Sequence, residues 1–205
     1  MYRNILMFSY CVLHSWTWYN FFMNSLETEL KLIKDLGLDV LAGKELTQED
    51  IDFLFSCLKP SFSSDVHIAA LLLLTESDDD VLDQVMERYS SLPVSVQHLL
   101  ISYLTTTDYI QCFVFLFNII KTASSEEEVN VAIFSLAQTH YFILPLIFTE
   151  LNSDDALYVN QLKRLLFMIG IDRLKPYLAV LPQIPHEAIF RQLFGPDKID
   201  RIKNS

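Results

Sequence analysis

Val66–Leu74 reads VHIAALLLL, and after the acidic run Asp78-Asp79-Asp80 the chain returns through Val81–Tyr89, VLDQVMERY. Each half has the apolar spacing of a helix, and the aspartates stand where a helix N-terminus favours negative side chains. The succession then comes round again. Val96, Val129 and Val159 open further apolar runs, in steps of 30, 33 and 30 residues from Val66, and 30 more lead to Ile189. A second apolar run follows each after a short polar or aromatic break. Periods of this size belong to helix pairs that stack, because one pair alone cannot bury its own hydrophobic side. The stretch therefore predicts an all-α fold, an α-solenoid of about four stacked helix pairs with extra helices at both ends.

The local signals place the pairs. In the second, Pro93 suits a first helical position, Val94–Leu104 is the first helix, Thr105–Asp108 the turn and Tyr109–Ile120 the return. The return carries CFVFLF (Cys112–Phe117), apolar on every side, which predicts burial between neighbours. In the third pair, Ser125 and Glu128 frame a turn before a helix from Val129 to about Ala137. Thr139-His140 breaks it, and Phe142–Leu151 returns. The fourth opens at Ser153-Asp154-Asp155, runs Ala156–Met168, turns at Gly170 and returns through Leu174–Leu181. Pro145 and Pro176 are both expected near the start of a second helix, where the missing N–H has no intrahelical partner. Beyond Pro182 and Pro185, Glu187–Phe194 reads as a helix with Phe190, Leu193 and Phe194 inward. Asp197–Lys203 reads as a short charged one.

Upstream, Leu26–Leu36 has helical spacing with Gly37 as its expected stop. Thr47 and Asp50 have the spacing of a capping box for a helix that reaches Leu58 before Pro60. Residues 1–22 differ in kind. Ile5–Met23 is apolar and aromatic, long enough to cross a bilayer, and Trp16, Trp18, Tyr19, Phe21 and Phe22 crowd one end. Against a membrane span stand His14, Ser15 and Asn20, a single Arg3 before it, and no cleavage site after it. Three readings follow: a start upstream of the true Met23, a membrane anchor, or a first helix packed on the stack. Residues 23–205 read as one helical-repeat domain.

Composition sets limits on function. With 51% apolar residues but only 4 glycines and 7 prolines, the chain lacks the turn material of an all-β fold. A net charge of −11 repels phosphate backbones and disfavours nucleic acid as a partner. Cys11, Cys57 and Cys112 are odd in number and far apart. That disfavours a disulfide framework or zinc knuckle and fits a reducing, cytoplasmic setting.

No catalytic motif emerges. The five histidines, His14, His67, His98, His140 and His186, include no H-x-x-x-H or H-E-x-x-H pair. His67 and His98 begin successive first helices and are expected to approach each other, as hydrogen-bonded or surface residues sooner than as metal ligands. The sequence contains no G-x-S-x-G, no P-loop and no glycine-rich dinucleotide turn. Asp78-Asp79-Asp80 lacks the alternation and central glycine of a calcium loop. Glu126-Glu127-Glu128 reads as a solvated first turn, since consecutive helical positions point apart. Lys163, Arg164, Arg173, Lys175, Arg191, Lys198, Arg201 and Lys203 make the tail more basic than the front.

Paired helices with a Val- or Leu-led first member, an acidic break such as Asp78-Asp79-Asp80 or Thr107-Asp108, and a small residue at Ala69-Ala70 and Ala132 resemble HEAT or armadillo-like repeats across Asp65–Phe194. Leu99-Leu100 and Leu162-Lys163 depart from the small-residue position. The resemblance implies a scaffold that holds another protein along one helical face, with no catalytic residue, cofactor or metal. The expected function is thus a non-enzymatic binding or adaptor domain. The alternatives are a membrane-associated protein anchored through residues 1–22, and an all-α enzyme or lipid carrier with an internal pocket.

Overall fold

The computed structural model describes residues 28–139 and 143–204. The segment 1–22, with Cys11 and His14, and the break at His140 lie outside the described residues. Those described form twelve α-helices and one 3-10 turn, with no strand among them. They cluster into two compact units. One ends at Val85 and takes in Ser91–Pro93. The other takes in Met86–Ser90 and the chain from Val94 onward.

The first unit holds α1 (Thr28–Leu41), α2 (Gln48–Ser56), α3 (Ser64–Thr75) and most of α4 (Asp79–Arg88). Helix α3 packs against both α1 and α2. Its apolar residues therefore find cover on several sides, and Val66, Ala69, Ala70, Leu71 and Leu74 are wholly buried. Each leucine so placed contributes roughly 1.5–3 kcal/mol relative to exposure. The predicted stop at Gly37 is corrected: Gly37 is buried inside α1, and the helix continues to Leu41. The chain leaves α1 at Gly43, where φ is +87°. The Gly43 N–H bonds the Val40 carbonyl at 2.9 Å and the Lys44 N–H bonds the Asp39 carbonyl at 3.0 Å, a Schellman closure. Lys44 also pairs with the Asp39 carboxylate at 2.7 Å. Helix α2 begins as expected. Asp50 N–H donates to the Thr47 hydroxyl at 3.3 Å and Thr47 N–H donates to the Asp50 carboxylate at 2.9 Å.

The second unit holds α5 (Val94–Leu104), α6 (Ile110–Thr122), α7 (Glu126–Gln138), α8 (Leu144–Glu150), α9 (Ala156–Ile169), α10 (Ile171–Leu178), α11 (Glu187–Phe194) and α12 (Pro196–Lys203). Alternate helices in sequence order touch: α5 meets α7, α7 meets α9, and α9 meets α11. Contacts among α6, α8 and α10 are sparser. Helix α6 packs on α5 and α7 and also reaches α9. Lys121 near the end of α6 lies 5.5 Å from the centre of the Tyr158 ring on α9. The intervening second helix, α8, has only 7 residues, which leaves this approach open.

Two further expectations need correction. Helix α6 is not buried all round: Cys112, Phe113, Leu116 and Phe117 are buried, but Val114 is 47% exposed. Pro176 stands inside α10, not at its start. The reason is Gly170, at φ +80°, which reverses the chain in one residue, so α10 begins at Ile171. In a helix of 8 residues the proline forfeits one internal bond near the far end. Pro145 does occupy the first turn of α8.

Charged and aromatic side chains close the far end of this unit. Arg173 on α10 donates to the carbonyls of Ala137 and Thr139 at the end of α7, satisfying acceptors that the helix leaves unpaired. Phe148 on α8 meets Phe190 edge-on at 5.9 Å and Tyr177 at 6.1 Å. Between α11 and α12, Glu187 accepts from Arg191 at 2.7 Å and from Lys203 at 2.8 Å, and Arg191 also holds Asp200.

Candidate functional site

Side chains bridge each of the contacts α5–α7, α7–α9 and α9–α11. Between α5 and α7, the Ser102 and Ser135 hydroxyls are 3.3 Å apart, and His98 Nδ1 lies 3.9 Å from the Glu127 carboxylate. Between α7 and α9, Arg164 donates to the Asn130 side-chain oxygen at 2.6 Å. Between α9 and α11, the Phe167 and Phe194 rings stack at 6.4 Å. Residues three and four apart share a helix face, so Asn130 carries Phe134 with it and Arg164 carries Phe167. Both phenylalanines are exposed, at 58% and 63%.

A shallow groove of about 460 Å³ opens between α5 and α7. Glu126 and Glu127 form its rim, Val131 and Phe134 its apolar wall, and Ser102, Asn130 and Ser135 the rest of its lining. Several polar atoms of the lining are already bonded. Ser102 donates to the His98 carbonyl at 3.3 Å or pairs with Ser135, and Asn130 accepts from Arg164. Comparison with known proteins returned nothing similar: no family model matches the chain, and no curated protein or solved structure does.

His67 and His98 belong to different units. His67 is buried with Nε2 2.9 Å from the Lys59 carbonyl, which fixes that nitrogen as the donor. His186, at φ +54°, bonds the Phe148 carbonyl at 2.8 Å in the same way, against the end of α8. Among the described residues no group of three or more His, Cys, Asp or Glu side chains gathers where it could hold a metal ion. Helical geometry also divides the three glutamates. Glu128 turns away to accept the Tyr89 hydroxyl at 2.5 Å, while Glu126 and Glu127 line the groove. A similar pair joins Tyr158 to Glu150 at 3.0 Å. Burial first, and the carboxylate partner second, push both phenols above the ordinary tyrosine range.

Sequence reasoning did not single out Ser102, Asn130, Phe134 or Ser135. One signal was available. Phe134 on α7 and Phe167 on α9 lie 33 residues apart and are both exposed, where apolar periodicity alone reads core. No described helix is long and apolar enough to cross a membrane.

Proposed function

We propose that this chain is a non-enzymatic scaffold that binds another protein on the face built by α5, α7, α9 and α11. In this reading the pairs α5/α6, α7/α8 and α9/α10 stack in a short, irregular file of the HEAT or armadillo kind. The first helices supply the docking surface. One observation carries the reading: three consecutive seams along that face are bridged by side chains, and large aromatics remain uncovered upon it. Bridged seams hold the helices in fixed register, and pre-ordered aromatic anchors are what protein interfaces use most.

Photo-crosslinking residues placed at Phe134 and Phe167 in the full chain, expressed in cells, test this. Both positions should trap the same protein, and a charged residue at either should abolish capture from the other. The same probe at Val114, exposed on α6, is the control. Trapping at Val114 equal to that at Phe134 and Phe167 would overturn the proposal.

A further inference from the structure

We infer that the groove between α5 and α7 takes a lysine- or arginine-bearing segment of a partner protein, with one apolar side chain of that segment seated against Val131 and Phe134. The inference rests on the docking face proposed above and specifies its chemistry. Glu126 and Glu127 stand on the rim, and among the described residues no lysine or arginine pairs with either. The closest basic group recorded for Glu127, His98 Nδ1, is at 3.9 Å, beyond hydrogen-bond length. Arg164, which reaches α7, donates to the neutral side-chain oxygens of Asn130 and Gln161 and not to these carboxylates.

The floor adds the second half of the selection. The Ser102 and Ser135 hydroxyls and the Asn130 side-chain oxygen already have partners, so an apolar side chain can cover those atoms without stranding them. What the groove leaves unmet is negative charge on its rim and apolar surface on its wall. Anionic partners, whether nucleic acid, an acidic membrane surface or an acidic peptide, meet repulsion from both the rim and the net charge of −11. A cationic segment with an interspersed leucine or similar residue answers both needs.

The test uses the full chain and two fluorescein-labelled helical peptides of equal length, one of Lys and Leu and one of Glu and Leu. Fluorescence anisotropy at near-physiological salt should show binding of the Lys peptide at least about tenfold tighter than the Glu peptide. Glu126→Gln with Glu127→Gln should weaken the Lys peptide by about tenfold, and Phe134→Ala by a similar factor. Both sets lie on the surface, and circular dichroism checks that the fold is kept. Asp79→Asn with Asp80→Asn, which removes the same charge from exposed positions in the first unit, should change affinity by less than about twofold. Equal losses from the two double variants would assign binding to the overall charge and overturn the inference, as would full affinity in Phe134→Ala. If crosslinks at Phe134 and Phe167 trap a partner whose binding ignores Glu126→Gln with Glu127→Gln, the docking face stands and the basic ligand falls.

Discussion

Helices α3 and α6 are equally greasy on paper and end differently. VHIAALLLL in α3 is packed by α1 and α2 together, and of its nine residues only Ile68 and Leu72 are even partly exposed. CFVFLF in α6 keeps one side on α5, α7 and α9 while Val114 faces outward and Phe115 is half covered. Phe115 instead makes an edge-on contact with the Tyr89 ring at 5.2 Å. Burial follows from how many neighbours a helix has, and apolar sequence only permits it. A run without polar interruptions says that a helix can be surrounded, and the arrangement of the other helices decides whether it is.

The largest expected effects test that contrast directly. Leu71→Ala in α3 should cost about 2–5 kcal/mol and Phe113→Ala in α6 about 3–5 kcal/mol, since both side chains are fully buried. Val114→Ala, one position along, should cost less than about 0.5 kcal/mol. Urea unfolding followed by circular dichroism, with hydrogen exchange in α3 and α6 as the local readout, measures all three. A Val114 loss as large as that of Phe113 would mean that α6 is covered on its outer side and that the contrast is false.

A smaller effect concerns the hydroxyls of two buried tyrosines. Tyr89 and Tyr158 have folded-state pKa values raised above the unfolded one. Their contribution is therefore complete below about pH 10 and is lost as pH rises past it. Changing both to Phe should cost about 1 kcal/mol per site at neutral pH and flatten the alkaline decline relative to the parent protein. Melts between pH 7 and 11 give the comparison, and parallel slopes would show that these hydroxyls do not bond the carboxylates.

The smallest effect is expected at the ion-pair cluster between α11 and α12. Glu187 is held below the usual carboxylate range by hydrogen bonds from Lys203 and Arg191. Its contribution is present above the unfolded glutamate value and fades as pH falls through the lowered folded one. Glu187→Gln should therefore loosen α12 slightly at neutral pH and progressively less as the medium is acidified, and added salt should erase the difference. Amide exchange in Pro196–Lys203 reads it. An effect that survives high salt would indicate packing, as in α3, and not charge.

Helix limits were legible to within a few residues where caps and breakers act locally. Val94–Leu104 and Glu187–Phe194 coincide with α5 and α11, and Thr47 caps α2 as its spacing implies. The failures were at positions whose role depends on a distant partner. Gly37 looks like a stop, but it is buried in a helix that packs on α3. Pro176 looks like a first-turn residue until the reversal at Gly170 sets where α10 begins. The candidate site was less legible still: Glu126 and Glu127 were visible as a charged turn, but their groove needs Ser102 on one helix and Phe134 on another.

The amino-acid order by itself determined that the described residues are helical, roughly where most of their helices begin and end, and that Thr47 and Ser125 cap theirs. Those outcomes depend on hydrogen bonds and apolar spacing within a dozen residues. Only the tertiary structure decided which apolar runs are enclosed, where Arg164, Arg173 and His186 spend their polar groups, and which aromatic rings stay in water. Each of those is settled by contact between segments roughly thirty residues apart, and the free energy of such contact is a property of the neighbours together, not of either stretch alone.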